Sequence, residues 1–110
     1  MAADPKPAPR VVNSDLMRIL HIEHDCCEVT GRTGRLHLHH VVLRSQGGDD
    51  VRGNLLTIHD GLHEAYHRAE PHARFLIGTH IRDHRSDILD YLRTKLGEGA
   101  ATEWLTRHTG

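Results

Sequence analysis

Aromatic side chains are scarce: one Phe, one Trp and two Tyr make up 4% of 110 residues. A platform that stacks successive bases of a single strand needs several such rings, so contact with a duplex backbone is the better-supported mode of nucleic-acid binding. Cysteine is nearly as sparse. Cys26 and Cys27 are adjacent, a placement that resists mutual bridging and builds no disulfide framework, which points to a reducing compartment. No apolar run approaches the roughly 18 residues of a membrane span, and the opening MAADPKPAPR lacks the apolar core of a secretory signal. The expectation is a soluble, cytoplasmic protein. A strong net charge is missing too: the formal value is −1 at neutral pH, so overall attraction to polyanions is absent and charge has to be read locally.

What is present points elsewhere. Apolar residues at 37% of the chain suffice for one core. Three of the four prolines fall in the first ten residues, so residues 1–12 read as a flexible tail before a single domain over 13–110. From Val29 to Gly48 there is no acidic residue, while Arg32, Arg35 and Arg44 lie there with His37, His39 and His40. That stretch suits contact with phosphates. Twelve histidines are far more than a chain of this length ordinarily carries, and imidazole is both the commonest metal ligand and a proton acceptor near neutral pH. Spacing must decide which are used; His21, His72, His80, His84 and His108 read as surface residues.

Asn13 or Ser14 can cap a helix running to about His24, with Leu16, Ile19 and Leu20 at helical spacing. The alternation in LHLHHVVL predicts a strand over 35–42 with His37 at an exposed position, and NLLTI predicts a second over 54–58. Between them RSQGGDDVRG is a loop too long for a tight hairpin turn. Thr57 and Asp60 mark a helix start, and Leu62, Tyr66 and Ala69 give an apolar stripe as far as Pro71. Residues 72–85 carry no clear pattern. Two further helices are expected over about 84–108, one opening at Ser86 and closing on Gly97, the other bringing Trp104 and Leu105 inward. The fold class is α+β: a small ββα hairpin-plus-helix core over 26–70, flanked by helices.

His63 and His67 are four apart, so on a helix they share one face with their β-carbons about 5–6 Å apart, close enough to bind one ion. A third ligand has to come from elsewhere, and the strand carrying His39 and His40 is the best source. Consecutive strand residues point to opposite faces, so those two converge only where the strand ends or twists. If one histidine binds the ion, its neighbour is free to act as a general base on water.

The stretch LHLHHVVLRSQGGDDVRGNLLTIHDGLHEAYH, with CCEVTGRTG leading into it, resembles the motif of HNH, or ββα-metal (His-Me finger), endonucleases: a histidine pair, a Gly-Gly loop, an Asn-Leu step and two final histidines. The resemblance implies a DNA phosphodiester hydrolase with one divalent ion, magnesium, manganese, nickel or zinc. It makes His39 the strand ligand, His63 and His67 the helix ligands, His40 the general base, and Asn54 the brace that holds the base in orientation. Arg44 and Arg68 become candidate phosphate contacts on the DNA. Compact size and C-terminal helices further resemble free-standing bacteriophage HNH proteins, which implies a terminase or another targeting protein as partner. Many relatives carry two CxxC pairs for a structural zinc; the matching positions here are Cys27, Thr30, His59 and Leu62, so a second zinc, even with His24 or Cys26 helping, is not expected.

Two rival readings remain. HEAYH matches the HExxH signature of zinc proteases, with Glu64 as base, but the extended signature wants glycine and histidine where Glu70 and Ala73 stand. The other is a non-catalytic zinc-stabilised module that binds nucleic acid or protein, which leaves His40 without a task.

Overall fold

The computed structural model describes residues 9–110; residues 1–8, most of the expected tail, lie outside them. The element order is α1 (Ser14–Glu23), β1 (Leu36–His40), β2 (Leu55–His59), α2 (Asp60–His67), α3 (Pro71–His84), α4 (Ser86–Leu96) and α5 (Glu98–Thr109). This is the expected α+β order of an N-terminal helix, an antiparallel hairpin and helices after it. No described helix is long and apolar enough to cross a membrane.

Helix α1 begins as its sequence predicts, with the Asn13 side chain accepting a hydrogen bond from Leu16 N–H. The hairpin pairs Leu36 with His59 and His40 with Leu55 at its two ends. β1 stops two residues short of the expected strand, because Asn54 takes over: its backbone carbonyl accepts from Val41 N–H and its side chain from Val42 N–H. The connecting loop is built from two 3-10 turns, Arg44–Gln46 and Arg52–Asn54. Its Gly-Gly pair is a steric requirement. Gly47 has φ 84°, and a β-carbon on Gly48 would lie 1.7 Å from the Val42 carbonyl oxygen.

Three other boundaries differ from expectation. Thr57 lies within β2, and α2 is capped instead by His59, whose Nδ1 accepts from Gly61 N–H. Helix α2 ends at His67 because Ala69 adopts φ 58°, so Ala69 does not extend the stripe. Residues 72–85 are helical, with Pro71 in the first turn, where its missing N–H is not needed. The core sits between the hairpin and the last three helices: Leu56 and Ile58 of β2 pack with Ile77 and Ile81 of α3, Ile88 and Leu92 of α4, and Trp104 of α5.

Candidate metal centre

Strand alternation divides the hairpin into two faces. His37 and His39 project toward α2, where His37 stacks on His63 and His39 meets the edges of His63, Tyr66 and His67. Leu38, Leu55 and Thr57 project the other way, around a cavity shared with Leu20 of α1. His63 and His67, one turn apart on α2, complete the first group.

Each of His39, His63 and His67 offers one ring nitrogen, and these atoms all lie within 4.8 Å of one another. The Nε2 atoms of His63 and His67 are 3.0 Å apart. Two nitrogens bonded to one ion at 2.0–2.1 Å would be separated by about 2.8–3.4 Å for right-angle to tetrahedral coordination, so the pair is already near ligand spacing. The buried Nε2 of His39 has no hydrogen-bond partner among the described residues. An orphaned imidazole nitrogen carries a desolvation penalty of about 1–3 kcal/mol, which a cation would offset. Three neutral imidazoles fit a borderline divalent ion.

The electrostatics keep two of these rings neutral. Burial, followed by the neighbouring His63, His67, His40 and His108, pushes the His39 imidazolium down to about 3. Burial, then His67 and His37, takes His63 down to about 4. Both therefore offer lone pairs at neutral pH, the form a metal requires.

A supporting layer surrounds the trio. His37, expected to be an exposed strand residue, is half-buried: its ring centroid is 4.6 Å from that of His63, and its Nε2 is bonded to Asp60. Tyr66 packs edge-on against His39 with ring centroids 4.8 Å apart and donates its hydroxyl to His108 Nε2 at 2.9 Å. His108 donates Nδ1–H to the Trp104 carbonyl at 2.7 Å and stacks on that indole at 3.8 Å. It is thus a buried residue, contrary to the surface position expected from the sequence. His80 is also partly covered, with its buried Nε2 3.8 Å from a Glu28 oxygen.

His40, the last residue of β1, is paired regularly with Leu55, and its Nε2 donates to Asp50 Oδ1 at 2.7 Å. A carboxylate can only accept, so Nε2 carries the hydrogen and Nδ1 the lone pair. Asp50 is itself held: Arg10 donates to Oδ1 at 2.8 Å and Asn13 N–H to Oδ2 at 2.9 Å. Burial would raise this carboxyl, but the Asn13 amide, His40 and Arg10 outweigh it and hold the group low and ionised.

Asn54 is fully buried and makes three bonds: it accepts from Val42 N–H at 2.7 Å and donates to the carbonyls of Val42 at 3.1 Å and Asp49 at 3.0 Å. It closes the loop that carries Asp50 beside His40. Arg44 and Arg68 are both exposed; Arg68 lies 3.8 Å from Glu70, and Arg44 opens the first 3-10 turn. Cys27 is buried, with its Sγ accepting from Thr30 N–H at 3.4 Å. Among the described residues the His39, His63 and His67 group is the one whose ligand atoms converge. The chain matches no protein-family model, no curated protein and no solved structure.

Proposed function

We propose that the chain is a metal-dependent endonuclease of the HNH type that hydrolyses DNA phosphodiester bonds. The observation that carries this reading is the pairing, on one short strand, of a buried histidine that clusters with two helix histidines and has an unpartnered nitrogen, with a second histidine oriented by a carboxylate.

His39, His63 and His67 would hold the cation, which when bound supplies charge stabilisation for the phosphate oxygens. His40 takes a proton from the attacking water at Nδ1, and Asp50, bonded at Nε2, stabilises the imidazolium that results. Asn54 acts through the loop by keeping Asp50 and His40 in register. Arg44 and Arg68 contact flanking phosphates. Targeting would fall to a partner such as a phage terminase, since backbone contacts carry little sequence information.

Plasmid nicking with a panel of divalent ions tests the reading. The parent is expected to nick, His40→Ala to lose about 10²–10⁴-fold in rate, and His63→Ala to lose both metal binding and nicking. Full activity in His40→Ala would remove it as the base. Hydrolysis of casein without DNA cleavage would favour the HExxH protease with Glu64 as base, and tight zinc binding with neither activity would favour a structural module.

A further inference from the structure

Beside the metal trio a second, larger cleft of about 510 Å³ opens between the first 3-10 turn, α2, α3 and α5. His67 belongs to both: it is a member of the trio and a wall of the cleft, with Tyr66 next to it. Arg74 enters from the first turn of α3 and Arg107 from the last turns of α5. Both guanidinium groups act on His108 at the base of the cleft, disfavouring its protonation after burial has done so.

The charge lining the cleft is of one sign. Arg10, Arg52, Arg82, Arg85 and Arg93 each engage a carboxylate. Arg74 and Arg107, like Arg32, Arg35 and Arg44 elsewhere, have no ion-pair partner among the described residues; what sets the cleft apart is that it holds two such groups and no acidic side chain lines it. Two planar guanidiniums without counter-charge, above walls made apolar by Tyr66 and Trp104, suit a phosphate bearing a sugar.

We infer that this cleft is a phosphate subsite for the DNA strand being cut, in which Arg74 and Arg107 seat a phosphate neighbouring the one presented to His39, His63 and His67. The inference rests on the endonuclease reading and adds to it two positioning residues outside the motif, contributed by α3 and α5.

The test compares the parent with the Arg74→Gln/Arg107→Gln double variant on two substrates, a short labelled duplex and bis(p-nitrophenyl) phosphate, whose single phosphate has no neighbour to seat. The variant is expected to lose about tenfold in kcat/KM on DNA while its rate on the small ester stays within about twofold. Across a salt series, the slope of log affinity for DNA against log salt should fall by about 0.9, the value for one phosphate no longer neutralised. Arg74→Lys/Arg107→Lys should keep that slope but recover only part of the rate, because an ammonium cannot grip two oxygens in one plane. An unchanged slope and unchanged kcat/KM on DNA would overturn the subsite. So would equal losses on both substrates, which would mean damage to the metal centre. If the parent cleaves neither substrate, the endonuclease reading fails, and the salt slope of DNA binding alone then decides for or against the arginine site.

Discussion

A carboxylate that accepts a hydrogen bond from an imidazole fixes the ring and stabilises its cation. Asp50 does this for His40. Replacing it with Asn keeps the shape but removes the charge, and Asn can offer its amide hydrogens to Nδ1 or Nε2, which breaks the assignment of hydrogen and lone pair. Asp50→Asn is therefore expected to lower kcat for DNA cleavage by about 10²-fold or more while leaving metal affinity, measured by titration calorimetry, unchanged. A parallel loss of metal affinity would instead place Asp50 in support of the trio. His63 and His67 were legible as a pair because four-residue spacing on a helix is a local property. Asp50 and Arg10 were not, since partners forty residues apart leave no periodic trace in the sequence. His108 carried a usable signal that composition obscured: Trp104 stands one helical turn before it, and the two stack.

Among the elements, α3 was the least legible. Its buried face is formed by Ala73, Ile77, Gly78 and Ile81, while the remaining positions mix the polar His72, Arg74, Thr79, His80, Arg82, Asp83 and His84 with an exposed Phe75 and a partly buried Leu76. One small residue and one glycine in the stripe make the apolar period too thin to read. The glycine has a packing purpose. A β-carbon on Gly78 would lie 2.5 Å from His108 Cβ and 3.1 Å from its backbone carbon, so α3 and α5 approach each other there nearly backbone to backbone. Gly78→Ala would gain helix propensity of up to about 1 kcal/mol but force α5 outward at an overpacking cost of about 1–3 kcal/mol. A net fall in Tm is expected in thermal unfolding, together with weaker burial of Trp104 by fluorescence. A rise in Tm would show that the helices separate freely. The hairpin was easier to read, because alternation in LHLHH and the Asn-Leu step set both strands; only the 3-10 character of the loop and the takeover by Asn54 required tertiary contacts.

Across the whole molecule, acid should act in two stages of the same sign. In the metal-free protein His39 and His63 titrate at about 3 and about 4, below the ordinary imidazole value of about 6.5, so as pH falls through that value the unfolded chain takes up protons the folded one refuses. Stability drops there. Below about pH 4 a second loss begins. Asp49 would be raised by burial, but bonds from Tyr91 and Val11 N–H and the Lys95 ammonium hold it at about 2, and Asp50 is likewise lowered; their stabilisation is complete above the ordinary carboxylate range and disappears as pH falls below it. Calorimetric scans of the metal-free protein should show Tm declining from pH 7 downward, and a flat profile between pH 7 and 4 would contradict the buried neutral histidines. Loading with metal at about a hundredfold excess over Kd should add about 2.7 kcal/mol and raise Tm by roughly 10 °C, an increase that a chelator reverses. That loading has its own proton chemistry. At 3.0 Å the facing Nε2 atoms of His63 and His67 cannot both present lone pairs, so one hydrogen sits between them. A cation can enter only as that hydrogen leaves, to the far nitrogen of its own ring if that ring is neutral, or to solvent if that ring is protonated on both nitrogens. Buffers of differing ionisation enthalpy would separate the two routes, the first giving a binding heat that no buffer alters.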